Sequence, residues 1–238
     1  MLINAGAKPF LVVSSSDIAV EILKTQHNIF ATRASNKGTK RISYNFLDVT
    51  FSPHGNHWRE MRKVFVTEYL GSKRAGRFNQ LLRMEIDGLN NILSSNPLNT
   101  QVNLNDMFLA LVYGVVGKFA FGKSYKEDPF NGVTLKEVID ETMTMFAGSA
   151  ADVFPTYGLI VYMLSGWNGR LEKCFGYLDG YFQTIMDEHF ETLKEVSEDE
   201  KDYAHSLVQL SLEDPRFTEI HIKALLIVQD RRVQGPLL

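Results

Sequence analysis

The sequence predicts a mainly α-helical fold with a small β element near its start, and three observations carry that prediction. From Trp58 to Val228 apolar residues recur at intervals of three and four, the period of a helix face turned to a core. Before that stretch, one short apolar run closed by serines, Phe10–Val13, reads as a strand. The segment Leu104–Phe121 is apolar nearly all round, with Asp106 and Lys118 its only charges, as expected of a helix buried inside a larger body.

Taken in order, the serines after Val13 cap a helix carrying Asp17, Ile18, Val20, Ile22 and Leu23. Between Ala31 and Ser52 the periodicity is lost, with Tyr44, Phe46 and Phe51 as scattered aromatics, so this stretch is expected to be a long loop of functional character. Pro53-His54-Gly55 turns the chain into a helix with Trp58, Met61 and Phe65. After Gly71 a second amphipathic helix follows, with Phe78, Leu81, Leu82, Ile86, Leu89 and Ile92. Beyond the apolar helix Leu104–Phe121, another runs from about Val133 to Ala147. A long one carries Leu171, Phe175, Leu178, Phe182, Ile185, His189 and Leu193. The run Glu195–Asp202 reads as a solvated connector. A helix near Ala204–Leu212 is broken by Pro215, and Thr218 caps a last one with Ile220, Ala224, Leu225 and Val228.

The chain has 238 residues, enough for one large domain or two small ones, with no internal repeat and no Pro/Ser-rich linker. A net charge of −3 with no basic stripe speaks against a nucleic-acid partner. The single cysteine, Cys174, excludes an internal disulfide framework and any multi-cysteine metal site. Residues Met1–Pro9 carry no secretory signal, and the longest uncharged stretch, Val153–Trp167, is too short to span a bilayer and is interrupted by Pro155, Gly158 and Gly166. With Tyr157, Tyr162 and Trp167 it is apolar enough to lie on a membrane surface or against another domain.

The chemistry concentrates at Trp58 and Arg62. Four apart on a helix, they lie on one face, and an indole N–H beside a guanidinium offers only donors. Such a pair suits a carboxylate or phosphate, although a Trp packed on a helix with an Arg laid over it has the same spacing. His54 and His57 are three apart but begin in a turn and have no third ligand nearby. Asp187, Glu188 and His189 are adjacent on a helix and share no face, so they read as solvated charge beside one boundary histidine. Glycine-rich phosphate loops and a Gly-x-Ser-x-Gly elbow are absent. Cys174, at the border of an apolar stripe in mid-helix, has no free backbone N–H to stabilise a thiolate.

In order and spacing, several segments resemble the front part of a plant cytochrome P450, a haem-thiolate monooxygenase. They are Phe30-Ala31-Thr32-Arg33, Phe51-Ser52-Pro53-His54-Gly55 with Trp58 and Arg62, and Phe119-Ala120-Phe121-Gly122-Lys123. Asp152-Val153-Phe154-Pro155, Asp187-Glu188-His189, and Phe217-Thr218 with Ile222-Lys223-Ala224-Leu225 complete the series, and the likeness covers Leu11 to about Leu226. The resemblance implies a partial P450 fold over residues 1–228 and a tail outside the family over 229–238. It further implies haem as cofactor with Trp58 and Arg62 on a propionate, and a substrate pocket walled by Tyr44, Phe46, Met145 and Phe146. A small hydrophobic substrate, dioxygen, electrons from an NADPH-cytochrome reductase, and a place on the cytosolic face of the endoplasmic reticulum follow from the same likeness. The family's oxygen-activating Ala/Gly-Gly-x-Asp/Glu-Thr stretch is replaced here by Ile227-Val228-Gln229-Asp230-Arg231-Arg232, and the haem-ligand cysteine loop and N-terminal anchor have no counterpart. The chain alone is therefore expected to be inactive. The alternative is a non-enzymatic product or an interaction module pairing with a full-length relative.

Overall fold

The computed structural model describes residues 1–97, 101–123, 133–198 and 200–231. In chain order the elements are strands β1 (Leu2–Ala5) and β2 (Lys8–Leu11), then helices α1 (Ser16–Val20), α2 (His27–Phe30) and α3 (Lys37–Ile42), with a π-type turn over Glu21–Thr25. There follow α4 (Asn56–Leu70), α5 (Ser72–Ser95), α6 (Leu104–Phe121), α7 (Leu135–Ala147), α8 (Ala150–Val153), α9 (Pro155–Leu164), α10 (Trp167–Thr192), α11 (Tyr203–Glu213) and α12 (Glu219–Arg231). The chain forms two compact units, Met1–Met61 with Lys136–Asp179, and Arg62–Leu135 with Gly180–Leu238.

In the first unit β1 and β2 pair antiparallel from Leu2↔Leu11 to Ala5↔Lys8. The strand lies two residues earlier than the Phe10–Val13 reading, and its partner β1 was not expected. The hairpin reverses at Gly6, whose φ of +60° suits glycine, and a Cβ there would sit 2.3 Å from the Val153 carbonyl oxygen. Ala7 N–H donates to that same oxygen at 2.9 Å, which docks the hairpin on the end of α8.

The expected long loop Ala31–Ser52 contains α3. Asn36 caps it, accepting from Thr39 N–H at 2.8 Å, while the Asn36 amide donates to the Phe146 carbonyl at 2.8 Å. Gly38 lets the helix press on α7, since a Cβ at that position would lie 2.0 Å from the Met145 carbonyl oxygen. Ile42, Ile139, Met145, Leu171 and Leu178 are buried around this contact.

The core of the second unit is aromatic. Tyr69 stacks on Phe65 at 5.1 Å and meets Phe119 and Tyr203 edge-on at 5.0 Å each. Leu207, Val208, Ile222 and Leu225 complete it from α11 and α12. The bounds of α6 match the sequence reading, but its burial does not. The buried residues run from Gly114 to Phe121, whereas Leu104 is 56% and Phe108 57% exposed. The all-round apolarity of α6 therefore reflects a buried second half and a first half that is only partly covered. Its length of 18 residues and mean hydropathy of 1.4 would also suffice to cross a membrane. Lys118 on α6 pairs with the buried Glu85 carboxylate at 2.6 Å. The last helix continues through Gln229 to Arg231, and residues 232–238 of the expected tail lie outside the described residues.

Candidate functional site

Between α3 and α4 the backbone makes a sharp reversal in which Tyr44, Asn45 and Phe46 take φ values of 51°, 62° and 67°. Three consecutive side-chain-bearing residues in the left-handed region carry strain that the surroundings must hold. Asn45 N–H donates to the Lys40 carbonyl at 2.8 Å, and Phe46 N–H to Ser43 Oγ at 2.9 Å. Tyr44 Oη donates to Asp179 at 2.8 Å, and its ring meets Phe175 edge-on at 5.1 Å. Burial and that carboxylate push the Tyr44 phenol well above its ordinary range.

The segment after the reversal fixes the start of α4. Phe51 N–H donates to the buried Asp48 at 2.9 Å, His57 Nε2 lies 3.2 Å from the Leu47 carbonyl, and Trp58 Nε1 donates to the Val49 carbonyl at 3.0 Å. His54 packs its ring on Trp58 at 5.4 Å, which places both histidines in the frame of this turn. Trp58 is half-buried and Arg62, one turn further along the same helix, is exposed. The indole N–H is thus held by backbone, while Arg62 on the same helix is exposed.

Of the four expected pocket residues, Met145 is fully buried under α3, and Phe146 packs on Phe51 at 4.9 Å. The loop and the end of α7 do come together, through Asn36, Gly38 and Phe51. Tyr44 instead turns toward α10, and Phe46 sits half-buried on the reversal. A cavity of about 400 Å³ lies elsewhere, in the second unit, lined by Tyr69, Ala75, Phe78, Leu82, Leu111 and Val115 among others, and none of the four expected residues lines it. Its only sequence signal is the pair of small residues, Gly71 and Ala75, at the start of α5.

Cys174 is buried in mid-α10 with Sγ 3.4 Å from Thr142 Oγ1, the environment of a structural thiol. Along α9 and just before it, Phe154, Tyr157, Ile160, Met163 and Leu164 are all exposed, the last two at 73% and 83%. Trp167, grouped with them in the sequence reading, is buried instead.

A boundary histidine and a residue of the connector read as solvated are in fact joined in the interior. Asp202, assigned to the charged connector, caps α11 and is buried with His189 and His205. Its carboxylate oxygens lie 3.0 Å from His189 Nε2 and 2.9 Å from His205 Nδ1. Burial alone would push the Asp202 carboxyl up, but hydrogen bonds from the two rings hold it well below the usual range. For His189, burial works against the charged form and is overcome by the Asp202 partner, so its pKa is raised. The signal in the sequence was Asp202 three residues before His205 at a helix start.

The chain matches the family model described as Cytochrome P450 over residues 1–229. It is 67% identical over 227 residues to a parthenolide synthase of Tanacetum parthenium, covering 95% of this chain and 45% of that protein. Against a eupatolide synthase of Helianthus annuus the identity is 37% over 202 residues, covering 85% of this chain and 40% of the other. A solved zebrafish cytochrome P450 with progesterone superposes with a TM-score of 0.71 at 19% identity, over 95% of this chain and 51% of that one. The chain spans about half the length of the curated relatives it matches.

Proposed function

Because the chain belongs to the cytochrome P450 family, we propose that it forms the front part of a haem-dependent monooxygenase acting on a small hydrophobic substrate. The observation that carries this reading is the donor pair on α4. Arg62 is exposed, permanently charged and planar, and fits a haem propionate bidentately. The Trp58 indole fits the same propionate only if it gives up its bond to the Val49 carbonyl. Until then it clamps the start of the helix that presents Arg62. Cys174, buried in mid-helix beside Thr142, is not placed to supply a thiolate to haem iron. When bound, haem supplies dioxygen activation with electrons from a reductase. The residues of this chain orient the propionate and wall the pocket, for which Tyr44, Phe46, Met145 and Phe146 are the proposed contributors.

The 67% identical parthenolide synthase supports a substrate of the class that such an enzyme uses. An NADPH-cytochrome reductase is the proposed electron donor. The exposed apolar face from Phe154 to Leu164 supports peripheral contact with the endoplasmic reticulum membrane through residues 153–167.

Two measurements test the reading. The 238-residue chain mixed with haem and reductant is expected to give no thiolate-type carbon monoxide difference band, and a clear band would overturn the assignment of Cys174. A chimaera in which residues 1–226 replace the matching part of a full-length relative is expected to bind haem and oxidise an apolar substrate with NADPH and reductase. A folded, haem-loaded chimaera without turnover on the relative's substrate would count against the pocket assignment.

A further inference from the structure

The buried cluster at the end of α10 needs positive charge that its residues lack when the two rings are neutral. His189 Nδ1 lies 2.6 Å from the Ile185 carbonyl, which can only accept, so this nitrogen carries a hydrogen. The Thr192 hydroxyl lies 2.9 Å from the Glu188 carbonyl and 3.1 Å from His205 Nε2, and it can accept from that ring nitrogen or donate to it. The two remaining nitrogens, His189 Nε2 and His205 Nδ1, face Asp202 Oδ2 and Oδ1 at 3.0 and 2.9 Å. With a neutral His189 ring the Nε2 lone pair points at the carboxylate in a region of low dielectric. A cation held between the rings and the carboxylate would satisfy that lone pair and the carboxylate together.

We infer that His189, Asp202 and His205 form a binding site for a divalent transition-metal ion, with zinc the ion that best suits two imidazoles and one carboxylate. The three ligand atoms lie within 4.8 Å of one another, and all three residues are buried. His189 holds its outer N–H on the Ile185 carbonyl, and Thr192 Oγ1 stands 3.1 Å from the outer nitrogen of His205, where it can accept an N–H as the outer partners of metal-bound histidines do. Room beside the carboxylate is kept by Gly122, where a Cβ would come 2.9 Å from Asp202 Oδ2. Among the described residues, Arg74, bonded to Ser206 and within the field of Asp202, opposes a cation, and Glu188, itself paired with Lys123, favours one.

The test uses the full 238-residue chain stripped with a chelator and titrated with zinc chloride against a chromophoric competitor, and separately with cobalt chloride. One zinc per chain is expected, with intense visible cobalt bands of a four-coordinate site. His205→Gln is expected to weaken zinc binding at least about tenfold and Thr192→Val by about tenfold, while the double variant His54→Ala, His57→Ala leaves it unchanged. No binding, or binding that survives His205→Gln and is lost with His54 and His57, overturns the site. The zinc absorption edge of the wild-type chain needs no variant. It must show two imidazoles and a carboxylate oxygen, and any shell without two imidazoles also overturns the proposal.

Discussion

Replacing Asp202 by Asn removes one charge from the interior while keeping shape and capping ability, because Asn caps helices as well as Asp does. In metal-free protein the wild-type carboxylate faces two imidazoles at 3.0 and 2.9 Å, with the His189 and Asp202 side chains only 5% and 3% exposed. Removing one member of such a buried pair costs about 3–5 kcal/mol when the other stays charged. The cost depends on pH in a direction the two shifts fix. His189, raised when folded, contributes stability that is full below its unfolded value of about 6.5 and is lost as pH rises through the folded value. Asp202, lowered when folded, contributes above its unfolded value of about 3.9 and loses that contribution as pH falls toward the folded one. Both act together between about pH 4 and pH 6.5. Above that window a neutral His189 can accept from the new amide, so the penalty shrinks. Urea unfolding in the presence of a chelator should therefore show a loss of about 3 kcal/mol or more at pH 5.5 and a clearly smaller one at pH 9. A loss under about 1 kcal/mol at pH 5.5, or the same loss at both pH values, would refute the charge pairing.

Three further outcomes follow from the packing. Gly38→Ala places a Cβ where the Met145 carbonyl oxygen stands and should cost about 1–3 kcal/mol in urea unfolding, through displacement of α3 from α7. Cys174, buried in mid-α10, should react with a chromogenic disulfide only at the rate of unfolding, and rapid native labelling would contradict its placement. Met163→Glu with Leu164→Glu should reduce sedimentation of the chain with phospholipid vesicles without changing its helical content, since both side chains are exposed in the native fold.

Periodicity made the long helices legible. The bounds of α5, α7 and α10 fall within a few residues of the sequence reading because each buries one face, and those of α6 because its apolar run is continuous. What composition does not specify is which part of an apolar helix is covered, and α6 hides only the stretch from Gly114 to Phe121. α3 was missed because six residues with a glycine carry no period. It forms through the Asn36 cap and the close approach of Gly38 to α7. β1 was missed because it is exposed and exists by pairing with β2. At the donor face, spacing placed Trp58 and Arg62 correctly on one helix, yet the bond from the indole to Val49 depends on a reversal at Tyr44–Phe46 that no local rule predicts. The buried triad was illegible for a related reason: His189 and Asp202 meet across a connector whose charges read as solvated.

Arg62 is the residue proposed to take a haem propionate. Haem retention is measured directly by the rate of transfer to excess apomyoglobin from the chimaera carrying residues 1–226, with Arg62 or Arg62→Ala. Loss of a charge-assisted bidentate bond worth about 1.5–3 kcal/mol predicts retention weakened by about tenfold or more. Equal transfer rates for the two proteins would contradict the assignment.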